Sequence, residues 1–414
     1  MNLIHFVLPA MVLAGTITPH EPPASREEEL VRAQREKAAK VAAPVVPRDE
    51  ELFQRYVSRP LNSFFTPKTG WTVRLGGLMS GSGFGLGPLY SRPDLLGERL
   101  DFKFSLAGSF KQYWAASTQL SLPHLAGDRL RADFYARHSD ANSIDYYGSG
   151  PNSRKEDRTN YRQEDSSVDG RFSWRPDRRT TSIGFYGGFL GVNVGPGTSG
   201  ERPSTERFFT ASQAPGIHQQ TNFVRYGPYI EYNNLDKPGD PHKGGNYEAR
   251  FLFFDDVDVS RYGFRRFDGW TEQYIPFYNQ KRVIALHAAT NLTWTKPGQL
   301  VPFYLQPTLG DSHDLRGYAR FRYRDSNSVA LSSEYRWKVM PGFDMALFLD
   351  AGKVFPKASD LSLNNLRYTG GFGFRFKTRD AVVMRIDTGF SREGFSIWFK
   401  FSDVYSRDLF RYLF

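Results

Sequence analysis

The 414-residue chain contains no cysteine, and its sequence has no run of 18 consecutive apolar residues. The absence of cysteine is consistent with secretion into an oxidising compartment, although it excludes no class of protein by itself. The absence of a long apolar run excludes a transmembrane helix, which needs about 20 such residues. A membrane protein with this sequence would therefore cross the bilayer as a closed β-barrel, because lipid cannot satisfy the backbone groups at an open sheet edge.

The charged residues give no indication of a nucleic-acid-binding surface. The formal net charge is +10, but the basic residues occur singly within strand-like segments instead of in clusters. A protein that binds an anionic polymer would concentrate these residues on one surface. The eight histidines are scattered without i, i+4 pairs. We therefore predict no nucleic-acid partner, no metal site and no cofactor.

Alternation of apolar and polar residues predicts β-strands from about residue 71 onward. Aromatic residues make up 15% of the chain, yet its mean hydropathy is −0.51, a combination that suits strands with one apolar and one polar face. Phe102 and Phe104, for example, alternate with Lys103 and Ser105. In a membrane barrel such alternation directs one set of side chains to lipid and the other to the lumen.

Sixteen segments show this pattern, and most have the roughly 9 to 11 residues that a tilted strand needs to cross a bilayer. The connections between them alternate between short and long, which is the asymmetry of outer-membrane barrels. We therefore predict an all-β fold, a transmembrane antiparallel β-barrel of about sixteen strands over residues 71–405. The predicted strands are 71–79, 83–92, 99–110, 113–121, 129–139, 161–174, 180–193, 220–233, 246–255, 262–274, 282–294, 327–337, 342–351, 366–377, 381–390 and 395–405.

Both ends of the chain lack the barrel pattern. Residues 1–14 have the apolar core and the small residues of a cleaved signal peptide, although a buried or interfacial segment is an alternative because no basic residue precedes the apolar run. Residues 15–70 are predicted to form a periplasmic lead-in with a helix at 25–43, which begins with a capping-box pattern. A C-terminal extension, 406–414, follows the predicted barrel.

The longest connection and the strands after it carry several motifs in a fixed order. They are Arg316-Gly317-Tyr318 in the loop, Glu334-Tyr335-Arg336 and Phe348-Leu349-Asp350-Ala351-Gly352 in the next two strands, and an earlier turn at 234–244. In this order and spacing the sequence resembles the eighty-five-kilodalton outer-membrane protein superfamily, which includes the barrel-assembly insertase and the two-partner-secretion translocators. The resemblance covers most of 71–405 and implies an Arg-Gly-aromatic tip on the sixth outer loop.

The sequence departs from this family in two respects. The insertases carry periplasmic POTRA domains, for which the lead-in has no room, so the chain resembles the short branch that lacks them. Family barrels also end at a terminal aromatic residue of the last strand, whereas residues 406–414 continue here. The last predicted strand is nevertheless similar to the family's assembly signal, and Gly394, Ile397 and Phe399 are its candidate residues.

Arg316 is the candidate functional side chain of the loop. The lipid-facing residues of the next two strands turn Glu334 and Asp350 toward the lumen, where a guanidinium could bind both carboxylates. The resemblance implies the same contact. We predict that Arg316, with Gly317 and Tyr318, folds into the lumen and forms a structural lock. The alternative is a solvated loop arginine.

These observations give expectations for localisation and function. The chain is expected in the bacterial outer membrane, in contact with lipid, where it would insert or transport polypeptide or lipid by opening the seam between its first and last strands. Client polypeptides and a periplasmic or lipoprotein partner are the expected partners, and a passive channel or structural barrel is the alternative function. A hydrolase would depend on Ser312, His313 and Asp314, but neighbouring side chains of an extended segment cannot converge on a triad. We therefore predict no catalytic residue.

Overall fold

The computed structural model describes residues 48–58, 69–76, 78, 81–278, 281–378 and 381–401. The predicted signal peptide 1–14, the predicted helix 25–43 and the predicted extension 406–414 lie outside the described residues. The chain divides into two units, 1–51 and 52–414, and every strand belongs to the second.

The second unit is a nearly closed antiparallel β-barrel, which confirms the predicted fold class. Sixteen strands form one sheet in chain order, and two short strands, β12 and β13, pair separately inside the longest loop. The strands are β1 Gly70–Gly76, β2 Gly85–Asp94, β3 Leu100–Ser109, β4 Trp114–Leu125, β5 Leu130–Tyr146, β6 Thr159–Trp174, β7 Thr181–Pro196, β8 Phe223–Asn233, β9 Gly244–Asp256, β10 Phe264–Phe277, β11 Arg282–Thr295, β12 Thr308–Leu309, β13 Tyr323–Arg324, β14 Asn327–Met340, β15 Phe343–Phe355, β16 Arg367–Lys377, β17 Val382–Ser391 and β18 Gly394–Lys400.

The described helical segments are short, and along the chain they precede β1 or connect the strands. They are the α-helical segments Arg48–Phe53, Leu95–Glu98 and Thr205–Phe208, the π-helical turn Gln54–Ser58, and the 3₁₀ turns Phe303–Leu305 and Ala358–Asp360. None of the helices in the described part of the chain has the length and apolarity to span a membrane.

The two faces of the wall follow the alternation of the sequence. In β15 the side chains of Leu347 and Leu349 are 52% and 70% exposed, whereas those of Phe348 and Asp350 are 3% and 2% exposed. The exposed set faces lipid in a barrel of this kind, and the buried set faces the lumen. The alternation along each strand therefore determines which of its residues can contribute to a lumenal site.

The connections differ in length at the two ends of the barrel. Residues 197–222 and 296–326 are the longest, whereas 341–342 and 378–381 join strands at the opposite end. Since outer-membrane barrels have long outer loops and short periplasmic turns, the long connections mark the outer end. There the rings of Tyr146 and Tyr161 pack against Phe303 with centroid distances of 5.1 and 4.8 Å, so the loops bury an apolar cluster.

The seam between β1 and β18 differs from the other strand boundaries. Each of the two strands has 7 residues, and among the described residues no backbone ladder joins them. A Cβ atom built on Gly76 would lie 3.5 Å from the Cβ atom of Phe401, so side chains close the gap there. The last strand is described as Gly394–Lys400, and residues 402–405 of the predicted strand 395–405 lie outside the described residues. Within the described residues, β1 and β18 are thus the two edge strands of the sheet.

Candidate functional site

Arg316 lies in the loop 296–326 between β11 and β14, and it reaches the inner face of β15. Its Nε and Nη2 atoms donate to the two carboxylate oxygens of Asp350 at 3.0 and 2.8 Å, and its backbone N–H donates to the same carboxylate at 3.0 Å. Ser332 and Thr369 also donate to this carboxylate, at 2.7 and 3.1 Å. The fork of the guanidinium matches the carboxylate in a bidentate pair, which a lysine could not form.

Glu334 on β14 receives the other arm of the guanidinium. Arg316 Nη1 donates to Glu334 Oε2 at 2.7 Å, and both side chains are fully buried. Arg336 and Arg375 donate to Glu334 Oε1 at 2.7 and 2.9 Å. The carboxylate of Glu334 therefore keeps two cationic partners even without Arg316, whereas the ion pair described for Asp350 is the one with Arg316.

The network continues onto β17. Arg375 Nη1 donates to Asp387 at 2.6 Å, and Arg385 bonds the same carboxylate. Arg385 Nη2 also donates to the carbonyl oxygen of Ser312 in the loop at 2.8 Å. Together with Arg316, the loop thus contacts the lumenal faces of β14, β15 and β17.

Glycines allow the backbone of the loop tip to rest on the backbone of β17. A Cβ atom at Gly317 would lie 2.6 Å from the carbonyl carbon and oxygen of Phe390. A Cβ atom at Gly389 would lie 2.5 Å from the carbonyl carbon and oxygen of Arg316. Contacts this short exclude any side chain at either position, so this pair of glycines sets how closely the loop approaches the wall.

The loop tip also binds the last hairpin of the barrel, β17–β18. The indole N–H of Trp398 donates to the carbonyl oxygen of Arg316 at 2.7 Å, and the Trp398 side chain is buried in the lumen. Ser391 Oγ donates to the carbonyl oxygen of Gly317 at 2.9 Å, and Ser396 Oγ donates to that of Tyr318 at 3.4 Å. The tip therefore holds β18, one of the two strands at the seam, from inside.

The returning limb of the loop strengthens this contact. Arg322 Nε and Tyr323 Oη donate to the carboxylate of Glu393 at 2.8 and 3.2 Å. Glu393 lies in the turn between β17 and β18. The ring of Tyr318 is buried and packs edge-on against Tyr323 at a centroid distance of 5.3 Å.

The structure places the predicted lock residues and the predicted assembly residues on different faces. Arg316, Glu334 and Asp350 meet in the lumen. The side chains of Ile397 and Phe399 are 50% and 65% exposed on the lipid side of β18, and Gly394 begins the strand with φ +120°. The role of these last three residues in assembly stays a prediction.

Residues 310–314 fold as a tight turn without the geometry of a catalytic triad. Ser312 Oγ is buried and makes no hydrogen bond within the described residues. The carboxylate of Asp314 accepts a bond from the backbone N–H of Gly310 at 2.8 Å. Burial, and next the charge of Asp311, raise the pKa of Asp314 to about 8. Asp314 is therefore largely protonated at neutral pH.

A second contact crosses the lumen at the periplasmic end. The turn after the eighth strand, residues 234–243, reaches β15 and β16, where Lys377 Nζ lies 2.8 Å from Asp240 and 2.6 Å from Asp344. His242 lies beside them, and the possible ligand atoms of Asp240, His242 and Asp344 are within 4.8 Å of one another. Since the ammonium group of Lys377 already binds both carboxylates, we assign no metal to this cluster.

Four features of the site were absent from the sequence-based prediction. These are Trp398, Gly389, the pair Arg375 and Asp387, and the bridge from Lys377. The sequence pattern could have identified Trp398, because it is an aromatic residue on the polar face of its strand, between Ser396 and Lys400. The close approach at Gly389 had no such pattern, since it depends on where a distant loop folds.

Comparison with known proteins agrees with this geometry. The Omp85 superfamily domain matches residues 66–391. The structure is similar to that of BamA from Haemophilus ducreyi lacking POTRA domains 1–3, with a TM-score of 0.58 and 17% identity over 80% of this chain and 69% of that one. It is also similar to CdiB from Escherichia coli, with a TM-score of 0.55 and 14% identity over 80% of this chain and 62% of that one. This chain thus spans less than two thirds of CdiB. No curated protein matches the sequence.

Proposed function

Because the chain belongs to the Omp85 superfamily, we propose that it inserts polypeptide into the bacterial outer membrane, or moves polypeptide or lipid across it, through the seam between β1 and β18. The chain is an outer-membrane β-barrel, as the sequence predicts. The observation that carries the proposal is that the loop tip binds the β17–β18 hairpin beside a seam without a backbone ladder.

The edges of β1 and β18 would supply the chemistry for a client strand. An unpaired edge presents backbone N–H and C=O groups that another chain can pair with by β-augmentation. The lock at Arg316 would keep β18 in place until a client competes for its edge. No covalent step is needed, and members of this family are non-enzymatic transporters or insertases. Membrane lipid, client polypeptides and a periplasmic or lipoprotein partner are the proposed partners.

A structural barrel without client machinery is the second candidate function. The number of strands that Arg316 contacts favours this function. Its side chain binds β14 and β15, and its carbonyl oxygen binds β18. A wall braced in this way could remain closed permanently. The two candidates differ in whether a client contacts the edges of the seam.

Site-specific photo-crosslinking tests the proposal. A photoreactive phenylalanine analogue would replace Ile397 on β18, Val73 on β1, or Phe185 on β7 as the matched lipid-facing control, all three being exposed. The barrel in lipid vesicles would be offered an eight-stranded outer-membrane protein unfolded in urea. We expect client adducts at 397 and 73 and none at 185. Equal labelling at all three positions, or none at the seam, would favour the structural barrel.

A further inference from the structure

A cavity of about 650 Å³ lies at the outer end of the barrel, beside the seam. Its walls come from the outer end of β5, from the β1–β2, β3–β4, β5–β6 and β7–β8 loops, from residues 319–321 of the long loop, and from residues 396–398 of β18. Exposed Phe110 and Ile397 form part of its rim. The cavity is separate from the lock, although both use the inner face of β18.

Basic residues dominate the cavity. Asp145 is its one carboxylate with an observed cationic partner among the described residues, and it is shared by Arg158 and Arg202 at 2.7 and 2.8 Å. Arg320 and Lys111 form no ion pair within the part of the chain that the structure describes, and the Arg320 guanidinium lies 5.0 Å from the ring centroid of Trp398. The charged lining residues are Lys111, Arg158, Arg202 and Arg320 against Asp145 and Glu201.

The excess of basic residues in the cavity affects the pKa of Lys111. Burial lowers the pKa of its ammonium group, and the neighbouring charge of Arg320 lowers it further, with smaller effects of the same sign from Arg202 and Arg158. Asp145 opposes these effects but does not reverse the shift. The cavity therefore has a positive potential that an anion would relieve, and its protein walls shield that charge less than bulk water would.

The volume limits the size of the anion. One water molecule takes about 30 Å³ of the liquid, so a lone phosphate ion would leave most of this cavity filled with solvent. Cavities of about 300 to 1,000 Å³ are typical of small-molecule sites. The hydroxyl groups of Ser143, Thr198 and Ser199 also line the walls, and they could bind the hydroxyl groups of a sugar.

We propose that this cavity binds a phosphorylated sugar, with Lys111 and Arg320 as the residues that hold its phosphate group. Such a group can come from a soluble sugar phosphate or from the head group of a lipid in the outer leaflet. The exposed apolar rim at Phe110 and Ile397 would admit the lipid-borne form from the membrane side. The inference does not depend on client transport through the seam.

Two binding measurements on the full-length protein distinguish the sources. Calorimetric titration of the detergent-solubilised barrel with glucosamine 1-phosphate, and with glucosamine as the comparison that lacks the phosphate group, tests the soluble form. Native mass spectrometry of the barrel in nanodiscs with lipid A tests the lipid-borne form. We expect lipid A to bind with a stoichiometry of one and to be lost in the double variant Lys111→Gln/Arg320→Gln. Affinity should fall at least about tenfold for each charge removed, because a bond to a charged group contributes more than one decade of binding.

The matched control is Arg178→Gln/Arg179→Gln, which removes two exposed basic residues from the turn between β6 and β7 at the other end of the barrel. Binding of lipid A alone assigns the site to a lipid, and binding of glucosamine 1-phosphate as well shows that the phosphorylated sugar suffices. Retention of binding in the single variant Arg320→Lys shows that the cavity is intact. The proposal is wrong if the wild-type protein binds neither probe, or if the control pair weakens binding as much as the cavity pair.

Discussion

Replacement of Arg316 by alanine should release the loop 296–326 from the barrel wall. The change removes the bidentate pair with Asp350 and one of three guanidinium contacts of Glu334. Glu334 keeps Arg336 and Arg375, whereas Asp350 keeps the neutral donors Ser332, Thr369 and the backbone N–H of residue 316. The cost should therefore come mainly from Asp350, and the loss of one partner from a buried pair costs about 3 to 5 kcal/mol.

Limited proteolysis of the loop measures this cost. When opening is fast relative to cleavage, the cleavage rate follows the population of the open loop. A loss of about 3 to 5 kcal/mol corresponds to an increase of about two to three and a half orders of magnitude in that rate. The gel-mobility shift of the folded barrel on heating, recorded against urea concentration, reports whether the wall is weakened as well.

Three further variants make the argument specific. Arg316→Lys should recover less than half of the loss, because an ammonium group cannot form the bidentate pair. Arg316→Ala combined with Asp350→Asn should be less damaging than Arg316→Ala alone, since the unpaired charge is gone. Arg154→Ala, in the exposed pair with Asp157, should have almost no effect. Unchanged protection of the loop in Arg316→Ala would refute the lock.

The remaining predictions concern the same loop and its contacts. Trp398→Phe removes the bond to the Arg316 carbonyl oxygen but keeps an aromatic ring, so proteolysis of the loop should increase by about fivefold, in line with about 1 kcal/mol for one hydrogen bond. Gly389→Ala should displace the tip and expose the loop to protease, whereas Gly370→Ala, where only a leucine side chain on the lipid side must move, should not. The pKa of Asp314 is about 8 in the folded loop against 3.8 ordinarily, so the folded form binds the proton more tightly and loop protection should decrease as the pH rises from 4 to 8. In Asp314→Asn that decrease should disappear, and its persistence would assign it to another group.

The fold was accessible from the sequence because lipid and lumen impose opposite demands on alternate residues. That alternation predicts Glu334 and Asp350 on the lumenal face, where both side chains are buried. The alternation predicted the outer ends of the strands less well, because there the loops cover both faces of a strand. β5 extends to Tyr146 although its pattern predicted an end at 139, and β15 extends to Phe355 although its pattern ended at 351.

The contacts of the loop could be predicted from the sequence only in part. The pairing of Arg316 with Glu334 and Asp350 could be predicted, because the alternation along the strands limits which acidic residues face the lumen. The bonds from Trp398 and the close approach at Gly389 depend on how a loop of more than thirty residues folds back over β17 and β18. The alternation along a strand predicts which face each side chain occupies, but it does not predict where such a loop lies.

The central claim is that the seam between β1 and β18 opens during function, and a reversible disulfide tests it most directly. Because the chain has no native cysteine, Gly76→Cys with Phe401→Cys introduces the only pair, and the 3.5 Å between the Cβ positions suits a disulfide. Gly76→Cys alone controls for the strain of a side chain at φ +118°. We expect the oxidised double variant to lose its acceleration of client-barrel folding in vesicles and to regain it on reduction. Equal acceleration before and after reduction, with the disulfide confirmed on gels, would contradict the claim.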